Sequence, residues 1–180
     1  MRTEIMFAGF GGQGIVKAAL LLAGAAGLHQ GKYIAQTQSY GPEARGGACK
    51  AEVVISDRDI AYIKTRALDA LVVMSQPALD QYRDRIDPEK TRVIYDATLV
   101  TEVPPEFTRT LAIPATALAE KKLGRSLFAN IIMLGALAAV MPGMDLDALT
   151  RALVGNVPPK TLEANGRALT LGFDLAGKAA

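Results

Sequence analysis

A glycine-rich turn, GFGGQG, occupies residues 9–14 near the start of the chain. It follows the apolar run 5–8, which predicts a strand, and precedes the Ala/Leu-rich run 15–28, which predicts a helix. This arrangement directs backbone N–H groups at a phosphate, and glycine lets the ligand approach closely. The turn therefore predicts a site for a phosphate-bearing ligand. The alternative interpretation is a tight strand–helix turn that binds nothing.

The spacing of Gly9, Gly11 and Gly14 also fits the dinucleotide-binding fingerprint. That fingerprint needs an acidic residue about 20 residues further on, at the end of the second strand, to bind the ribose. The second strand is predicted at 33–37, and no acid stands at its end, since Glu43 lies beyond it in a loop. The missing acid disfavours an NAD site.

A second segment with chemical potential is the loop SYGPEARGG at 39–47. Arg45 offers a planar fork suited to phosphate or carboxylate, and this loop leaves the second predicted strand at its carboxyl end. We expect the loop to lie beside the glycine turn and to form an anion site with it. The alternative is an ordered turn in which Arg45 pairs with an acid such as Glu43. The predicted ligand-binding residues are Gly9, Gly11, Gly12, Gln13, Gly14, Ser39, Arg45, Gly46, Gly47 and Lys50.

The small number of metal-ligating and redox side chains excludes several classes of chemistry. Cys49 and His29 are the single cysteine and histidine, so neither a four-cysteine iron–sulfur cluster nor a structural zinc site can be built from this chain. We interpret Cys49 as a packing residue and His29 as a helix-end residue, and predict no catalytic and no metal-binding residue. The net charge of +2 disfavours nucleic acid, and the basic clusters 83–85 and 121–125 are interpreted as solvated helix faces. A lone cysteine and the absence of a signal-peptide pattern predict a cytoplasmic protein.

Strand-like and helix-like runs alternate along the first two-thirds of the chain. We predict one domain over 1–180 with an α/β fold: a three-layer sandwich with a mostly parallel or mixed sheet and a helical C-terminal tail. The strands 33–37 and 48–56 are joined by a loop and are expected to pair antiparallel. The other strands are predicted at 5–8, 70–75, 92–95 and 108–113, and the helices at 15–28, 76–85, 115–123, 129–141, 146–153 and 160–171.

Two helical runs are almost entirely apolar. The run 15–28 contains one charged residue, Lys17, and the run 131–141 contains none. Both are shorter than the roughly 20 residues that span a bilayer, so no membrane segment is predicted. Each run is either sandwiched inside the domain or covered by another chain. On the second alternative, the run 131–141 predicts that the isolated chain self-associates.

The sequence resembles the gamma subunit, or gamma domain, of 2-oxoacid:ferredoxin oxidoreductases. The resemblance rests on GFGGQGIV at 9–16 and QTQSYGPEARGGACKAEVVIS at 36–56, which occur in the expected order. It continues through VVMSQPALDQY at 72–82, the apolar helix with Asn130, and the closing helix with Lys160 and Asn165. It spans essentially the whole chain and is nearest to subunits of the 2-oxoglutarate or pyruvate type. Cys49 departs from the Ser or Thr common in the family, which argues against redox chemistry at that position.

The resemblance implies a complex that converts a 2-oxoacid, here 2-oxoglutarate, and coenzyme A into acyl-CoA and carbon dioxide, with electrons passing to ferredoxin or a similar acceptor. It implies thiamine diphosphate, magnesium and iron–sulfur clusters in the complex, and alpha, beta and ferredoxin-like delta subunits as partners. This chain has neither a cysteine set nor a Gly-Asp-Gly magnesium motif, so we expect it to hold no cofactor and to be inactive alone. Its expected contribution is a crevice for coenzyme A and contacts between subunits. The alternatives are loops that only shape those contacts, pyruvate or aromatic 2-oxoacid specificity, and a free-standing Rossmann-like nucleotide-binding module.

Overall fold

The central sheet has six strands, and the computed structural model describes residues 1–39 and 48–179 of the chain. The strands are β1 (Arg2–Phe10), β2 (Tyr33–Ser39), β3 (Ala48–Ser56), β4 (Ala70–Val73), β5 (Arg92–Asp96) and β6 (Thr110–Ile113). The helices are α1 (Ile15–Gly24, continued by a π-helical turn at Ala25–His29), α2 (Gln76–Tyr82), α3 (Ala115–Leu123), α4 (Ala129–Val140), α5 (Leu146–Leu153) and α6 (Leu162–Ala179).

The strand order is β2-β3-β1-β4-β5-β6. β3 runs antiparallel to both β1 and β2, whereas β1, β4, β5 and β6 are mutually parallel neighbours. The mixed sheet and the antiparallel pairing of the second and third strands are thus confirmed. The first strand is longer than its apolar run suggests because β1 pairs with β3 over nine positions, from Arg2 opposite Ser56 to Phe10 opposite Ala48.

The side chains of β1 point alternately to the two faces of the sheet, and the hydrophobic core accordingly has two parts. Ile5 and Phe7 pack with α1, α4, α5 and α6 on one face of the sheet. Met6 and Ala8 pack on the other face with α2 and with Val100 from the connection after β5. The result is the expected three-layer arrangement, with a thick helical layer on one face and a thin one on the other.

Helix α4 lies inside the domain, because every residue from Ala129 to Ala138 is buried. Of the two alternatives for the apolar run 131–141, the structure supports burial within the domain. The premise of the self-association prediction is therefore wrong, since this run presents no large apolar surface to solvent. No helix in the described parts of the chain has the length and apolarity needed to cross a membrane.

Helices α4 and α6 approach each other at two glycines, Gly135 and Gly172. A Cβ atom on Gly135 would overlap the carbonyl oxygen of Leu169, and one on Gly172 would overlap that of Ile132. In both cases the distance from the added Cβ to the carbonyl oxygen would be much shorter than 3.0 Å, and real Cβ atoms essentially never come that close to another atom. The two glycines therefore allow the helix backbones to touch, which is how the domain accommodates α6 over the buried α4.

Candidate functional site

The glycine turn between β1 and α1 is held in place by the side chain of Gln13. Its Oε1 atom accepts a hydrogen bond from the backbone N–H of Phe10 at 2.9 Å. Its Nε2 atom donates to the carbonyl oxygen of Met74, just beyond β4, at 2.7 Å. The amide of Gln13 is thus engaged within the chain, and its contribution is to fix the turn between two neighbouring parallel strands.

The four glycines of the turn have different environments. A Cβ on Gly9 would collide with Gln13 and Ile15, and Gly14, at the start of α1, has a positive φ of 77° and faces Asn130. At Gly11 and Gly12, by contrast, the space that a Cβ would occupy has no neighbour within 4 Å among the described residues. Both are exposed, so the middle of the turn offers bare backbone to a group approaching from outside.

Ser39 and Lys50 lie at the same edge of the sheet as the glycine turn. Ser39 pairs with Lys50 across β2 and β3, and Lys50 pairs with Ala8 of β1. The loop between β2 and β3 therefore leaves β2 at the carboxyl edge, as predicted. Its residues 40–47, including Arg45, Gly46 and Gly47, lie outside the described residues.

The side chain of Lys50 extends to the face of the sheet that carries α2, whereas the glycine turn leads into α1 on the opposite face. Its ammonium pairs with Glu52 at 3.2 Å and lies 5.7 Å from the ring centre of Tyr82. Lys50 was expected to add a free donor beside the turn. Its position does not support that expectation, because its ammonium lies on the α2 face and is already paired with the buried Glu52 carboxylate.

Glu52 is the centre of a buried polar cluster that the sequence analysis missed. Its carboxylate accepts hydrogen bonds from the Thr65 hydroxyl and from Arg85 and Lys50. Burial acts to raise the pKa of Glu52, but these donors outweigh it and hold the pKa below its usual value. The interpretation of Arg85 as part of a solvated face is thus wrong. Only the alternation of β3, which places a glutamate among apolar neighbours, points to this cluster from sequence.

A cavity of about 390 Å³ opens where α1, α4 and α6 begin, and we call it the cationic cavity. It carries Lys17, Arg125 and Lys160, and its described lining contains no aspartate or glutamate. The Lys17 ammonium donates to the carbonyl oxygen of Asn156 at 2.8 Å. Three positive charges without a facing carboxylate favour an anionic ligand. The remaining lining residues are Gly14, Leu127, Phe128, Asn130, Ile131, Asn156, Val157, Pro158, Thr161 and Asn165.

Asn130 gives this cavity a buried and unsatisfied polar atom. The residue is 4% exposed, and its Nδ2 atom donates to the carbonyl oxygen of Gly14 at 3.1 Å. Its Oδ1 atom is buried and has no hydrogen-bond partner within the described structure. Because leaving a buried acceptor unpaired is costly, a ligand with an N–H or O–H group suits this position. The sequence signal for this position is one amide in an otherwise apolar helix.

A second cavity, of about 430 Å³, lies on the other side of the glycine turn. Phe10, Gly11, Gly12 and Gln13 line it together with Met74 and residues at the start of α3 and α4. It lies between β1 and β4, where the connections from neighbouring parallel strands diverge to opposite sides. Such a switch point is the usual ligand crevice of an open α/β sheet. The glycine turn is therefore bordered by cavities on both sides.

The two residues considered for redox or acid–base chemistry, Cys49 and His29, line neither of these cavities. Cys49 is buried in β3 and packs in the core, and burial raises the pKa of its thiol. Its predicted role as a packing residue is confirmed. His29 is exposed at the end of the π-helical turn, as expected for a helix-end residue. No cluster of three or more potential metal-ligating His, Cys, Asp or Glu side chains occurs in the described part of the chain.

The mixed α/β sandwich of this chain is also the fold of a solved oxidoreductase gamma subunit. The chain superposes on the keto/oxoacid ferredoxin oxidoreductase gamma subunit of Geobacter sulfurreducens with a TM-score of 0.89 and 37% identity, covering 99% of this chain and 98% of that one. Residues 4–175 match the pyruvate ferredoxin/flavodoxin oxidoreductase family. The chain belongs to that family, as the sequence motifs predicted, and is a gamma-type subunit of an oxidoreductase.

Relatives within the family differ in their similarity to this chain. The 2-oxoglutarate synthase subunit KorC of Methanocaldococcus jannaschii is 44% identical, with 98% of this chain and 95% of the relative aligned. The pyruvate synthase subunit PorC of Methanothermobacter marburgensis is 31% identical, with 95% and 96% aligned. The 2-oxoglutarate-type subunit is thus the more similar of the two.

A second solved structure shows the same fold inside a longer chain. It is the 2-oxoglutarate:ferredoxin oxidoreductase of Magnetococcus marinus with 2-oxoglutarate, coenzyme A and succinyl-CoA bound. The TM-score is 0.85 at 25% identity, and the match covers 99% of this chain but 31% of that one. In that enzyme the equivalent of this chain is one part of a larger polypeptide.

Proposed function

We propose that this chain is the gamma subunit of a 2-oxoglutarate:ferredoxin oxidoreductase and that it contributes part of the coenzyme A site, as one gamma-type domain. The complex would convert 2-oxoglutarate and coenzyme A into succinyl-CoA, carbon dioxide, a proton and two electrons, which ferredoxin accepts. The higher identity to a 2-oxoglutarate synthase subunit than to a pyruvate synthase subunit supports this substrate. Coenzyme A in the related Magnetococcus marinus structure supports the second substrate.

The observation that carries the coenzyme A assignment is the cationic cavity beside the glycine turn. Coenzyme A has a diphosphate and a further phosphate, which suit Arg125 and Lys160. It also has amide N–H groups and an adenine amino group, either of which satisfies the buried Oδ1 of Asn130. The bare backbone at Gly11 and Gly12 borders the second cavity, on the other side of the turn, and allows another part of the ligand to approach closely there.

The residue types in this chain indicate which cofactors the other subunits of the complex must hold. One cysteine cannot ligate an iron–sulfur cluster, so the clusters belong to other subunits. Thiamine diphosphate, which stabilises the carbanion left by decarboxylation, and its magnesium ion are likewise assigned to the alpha and beta subunits. The proposed location is the cytoplasm, where a ferredoxin-like delta subunit or free ferredoxin accepts the electrons.

Replacing Lys160 with alanine should raise the apparent KM of the assembled complex for coenzyme A about tenfold. That factor corresponds to the loss of about 1.4 kcal/mol, as expected for one charged contact to a phosphate. Lys178→Ala is the matched control, because Lys178 is exposed near the other end of α6 and away from the cavity. Steady-state kinetics with a viologen acceptor give both KM values, and the 2-oxoglutarate KM should not change. Equal coenzyme A values for the two variants would contradict the proposal.

Arg45, on the β2–β3 loop, provides a second test of the coenzyme A site. We expect Arg45→Ala to raise the coenzyme A KM on the order of 10–150-fold, which corresponds to about 1.5–3 kcal/mol for one charged hydrogen-bonding group. Arg45→Lys should restore only part of the loss, since lysine lacks the planar fork. If coenzyme A kinetics stay unchanged while subunits dissociate more readily, the loop is a contact between subunits and not a ligand site.

A further inference from the structure

The outward side of α1 and its π-helical turn is an unbroken apolar strip. Its members recur every three or four residues, the spacing that places side chains on one helix face. Leu20 is 45% exposed and Leu28 is 82% exposed, while the smaller members are partly exposed. We call this surface the outer α1 strip, formed by Val16, Leu20, Ala23, Gly24, Gly27 and Leu28.

This region is depleted of charge. From residue 18 to residue 39 the only Asp, Glu, Lys or Arg is Lys32, in a chain that is 21% charged overall. Lys32 pairs with Asp57 at 2.5 Å, and hydrogen bonds from Lys32 and from the N-terminal amine lower the pKa of Asp57 to about 2. Lys17 borders the strip, but its ammonium is bound to the Asn156 carbonyl. Charge depletion marks the centre of a protein interface more than bulk hydrophobicity does.

Strand β2, which packs beside α1, is an unprotected sheet edge. It has seven residues and no second neighbour in the described sheet, and it contains neither a charged residue nor a proline. Exposed edges normally carry such residues to prevent pairing with other chains. The opposite edge, β6, is protected in this way: it has four residues, follows Arg109 and ends at Pro114. The contrast indicates that β2 is covered in the working protein.

We propose that the outer α1 strip and the edge of β2 together form the docking surface for one subunit of the complex, the one equivalent to the rest of the Magnetococcus marinus polypeptide. We call this partner the larger subunit. This inference rests on the proposed function for the existence of that subunit. In the Magnetococcus marinus enzyme the equivalent domain is joined to further polypeptide, so it has a permanent neighbour. Permanent interfaces are the apolar ones, and the partner surface is expected to be equally uncharged, with backbone groups able to pair with β2.

The test replaces exposed leucines of the strip with glutamate and measures assembly. Leu28→Glu and Leu20→Glu should weaken binding of the chain to the larger subunit of its own complex by about 30-fold, the factor for an interface hot spot of about 2 kcal/mol. Ile63→Glu is the matched control, since Ile63 is 53% exposed and lies in the connection between β3 and β4. The carbonyl oxygens of its two neighbours accept hydrogen bonds from Arg2, whose side chain is on the α2 face of the sheet, opposite α1. Thermal unfolding of each isolated variant should match the wild type, because the changed side chains are exposed.

Affinities come from titration of the labelled chain into the separately purified larger subunit, with size-exclusion chromatography of each component alone. Unchanged affinity in both leucine variants would overturn the proposal, as would equal weakening by Ile63→Glu. A wild-type chain that is a dimer alone, and that Leu28→Glu converts to a monomer without affecting the complex, would assign the strip to a second copy of this chain. Assembly is measured without coenzyme A, so failure here is distinct from failure of the coenzyme A assignment.

Discussion

Replacing Gly172 with alanine is expected to lower the free energy of unfolding by about 3–5 kcal/mol. The added Cβ would overlap the Ile132 carbonyl oxygen and would lie 3.0 Å from the backbone nitrogen of Ala136. Both are backbone atoms of the buried helix α4, which cannot move aside as a flexible side chain does. The helices must separate instead, and overpacking of this severity belongs to the largest effects of single substitutions. Urea unfolding of the purified chain followed by circular dichroism measures the loss.

Gly166→Ala in the same helix provides the control. A Cβ at Gly166 meets no atom within 4 Å among the described residues, and its backbone is ordinary helix. Alanine has the higher helix propensity, so this variant should be more stable by about 0.5–1 kcal/mol. If Gly172→Ala lowers the free energy of unfolding and Gly166→Ala, six residues away, raises it, the close backbone contact at Gly172 is demonstrated. An unchanged or increased stability of Gly172→Ala would show that α6 does not touch α4 in this way.

Gly14→Ala is expected to cost about 3 kcal/mol of stability and to deform the cationic cavity. Part of the cost is the left-handed backbone at φ 77°, which disfavours any side chain by about 1–2 kcal/mol. The remainder arises because the new Cβ would occupy the position of the Asn130 amide, which donates to the Gly14 carbonyl. Losing a buried hydrogen bond and leaving its groups unpaired costs about 1–3 kcal/mol.

Two further variants separate the cost of the left-handed backbone from the cost of displacing the Asn130 amide. Gly31 has a similar φ of 66°, and no atom of the described residues lies within 4 Å of the position of an added Cβ. The stability lost in Gly31→Ala should therefore be the cost of the left-handed backbone alone. Combining Gly14→Ala with Asn130→Ala removes the amide that the new methyl group displaces. The double variant should therefore lose less than the sum of the single losses in urea unfolding. Strict additivity would contradict direct contact between the two residues.

Much of the fold follows from local sequence features. Helix α3 begins after Pro114 and ends before Gly124, and both bounds were predicted because these residues interrupt helices in known ways. Strand β3 was predicted at its observed bounds from its alternating pattern. The helix predicted at 15–28 differs from α1 because its last turn is π-helical, and no propensity rule marks that change.

The site was only partly predictable, since sequence gives order along the chain and not the face of a sheet. The loop between β2 and β3 was correctly expected to leave β2 at the carboxyl edge of the sheet, near the glycine turn. Alternation along β3 puts Lys50 and Glu52 on one face of the strand, but tertiary packing decides that this face is the one carrying α2. Likewise, the gathering of Arg125 and Lys160 around Asn130 results from the packing of α4 against α6, and no local pattern encodes it.

All three asparagines of the chain, Asn130, Asn156 and Asn165, line the cationic cavity. Selective ¹⁵N labelling of asparagine would therefore give a spectrum whose three side-chain amide signals all originate at one place. If coenzyme A occupies this cavity as proposed, titration with it should move those resonances, and the Asn130 signal should respond most because its oxygen would gain a donor. The amino-acid composition thus provides a natural spectroscopic reporter of occupancy, usable on the isolated subunit without turnover or any cofactor.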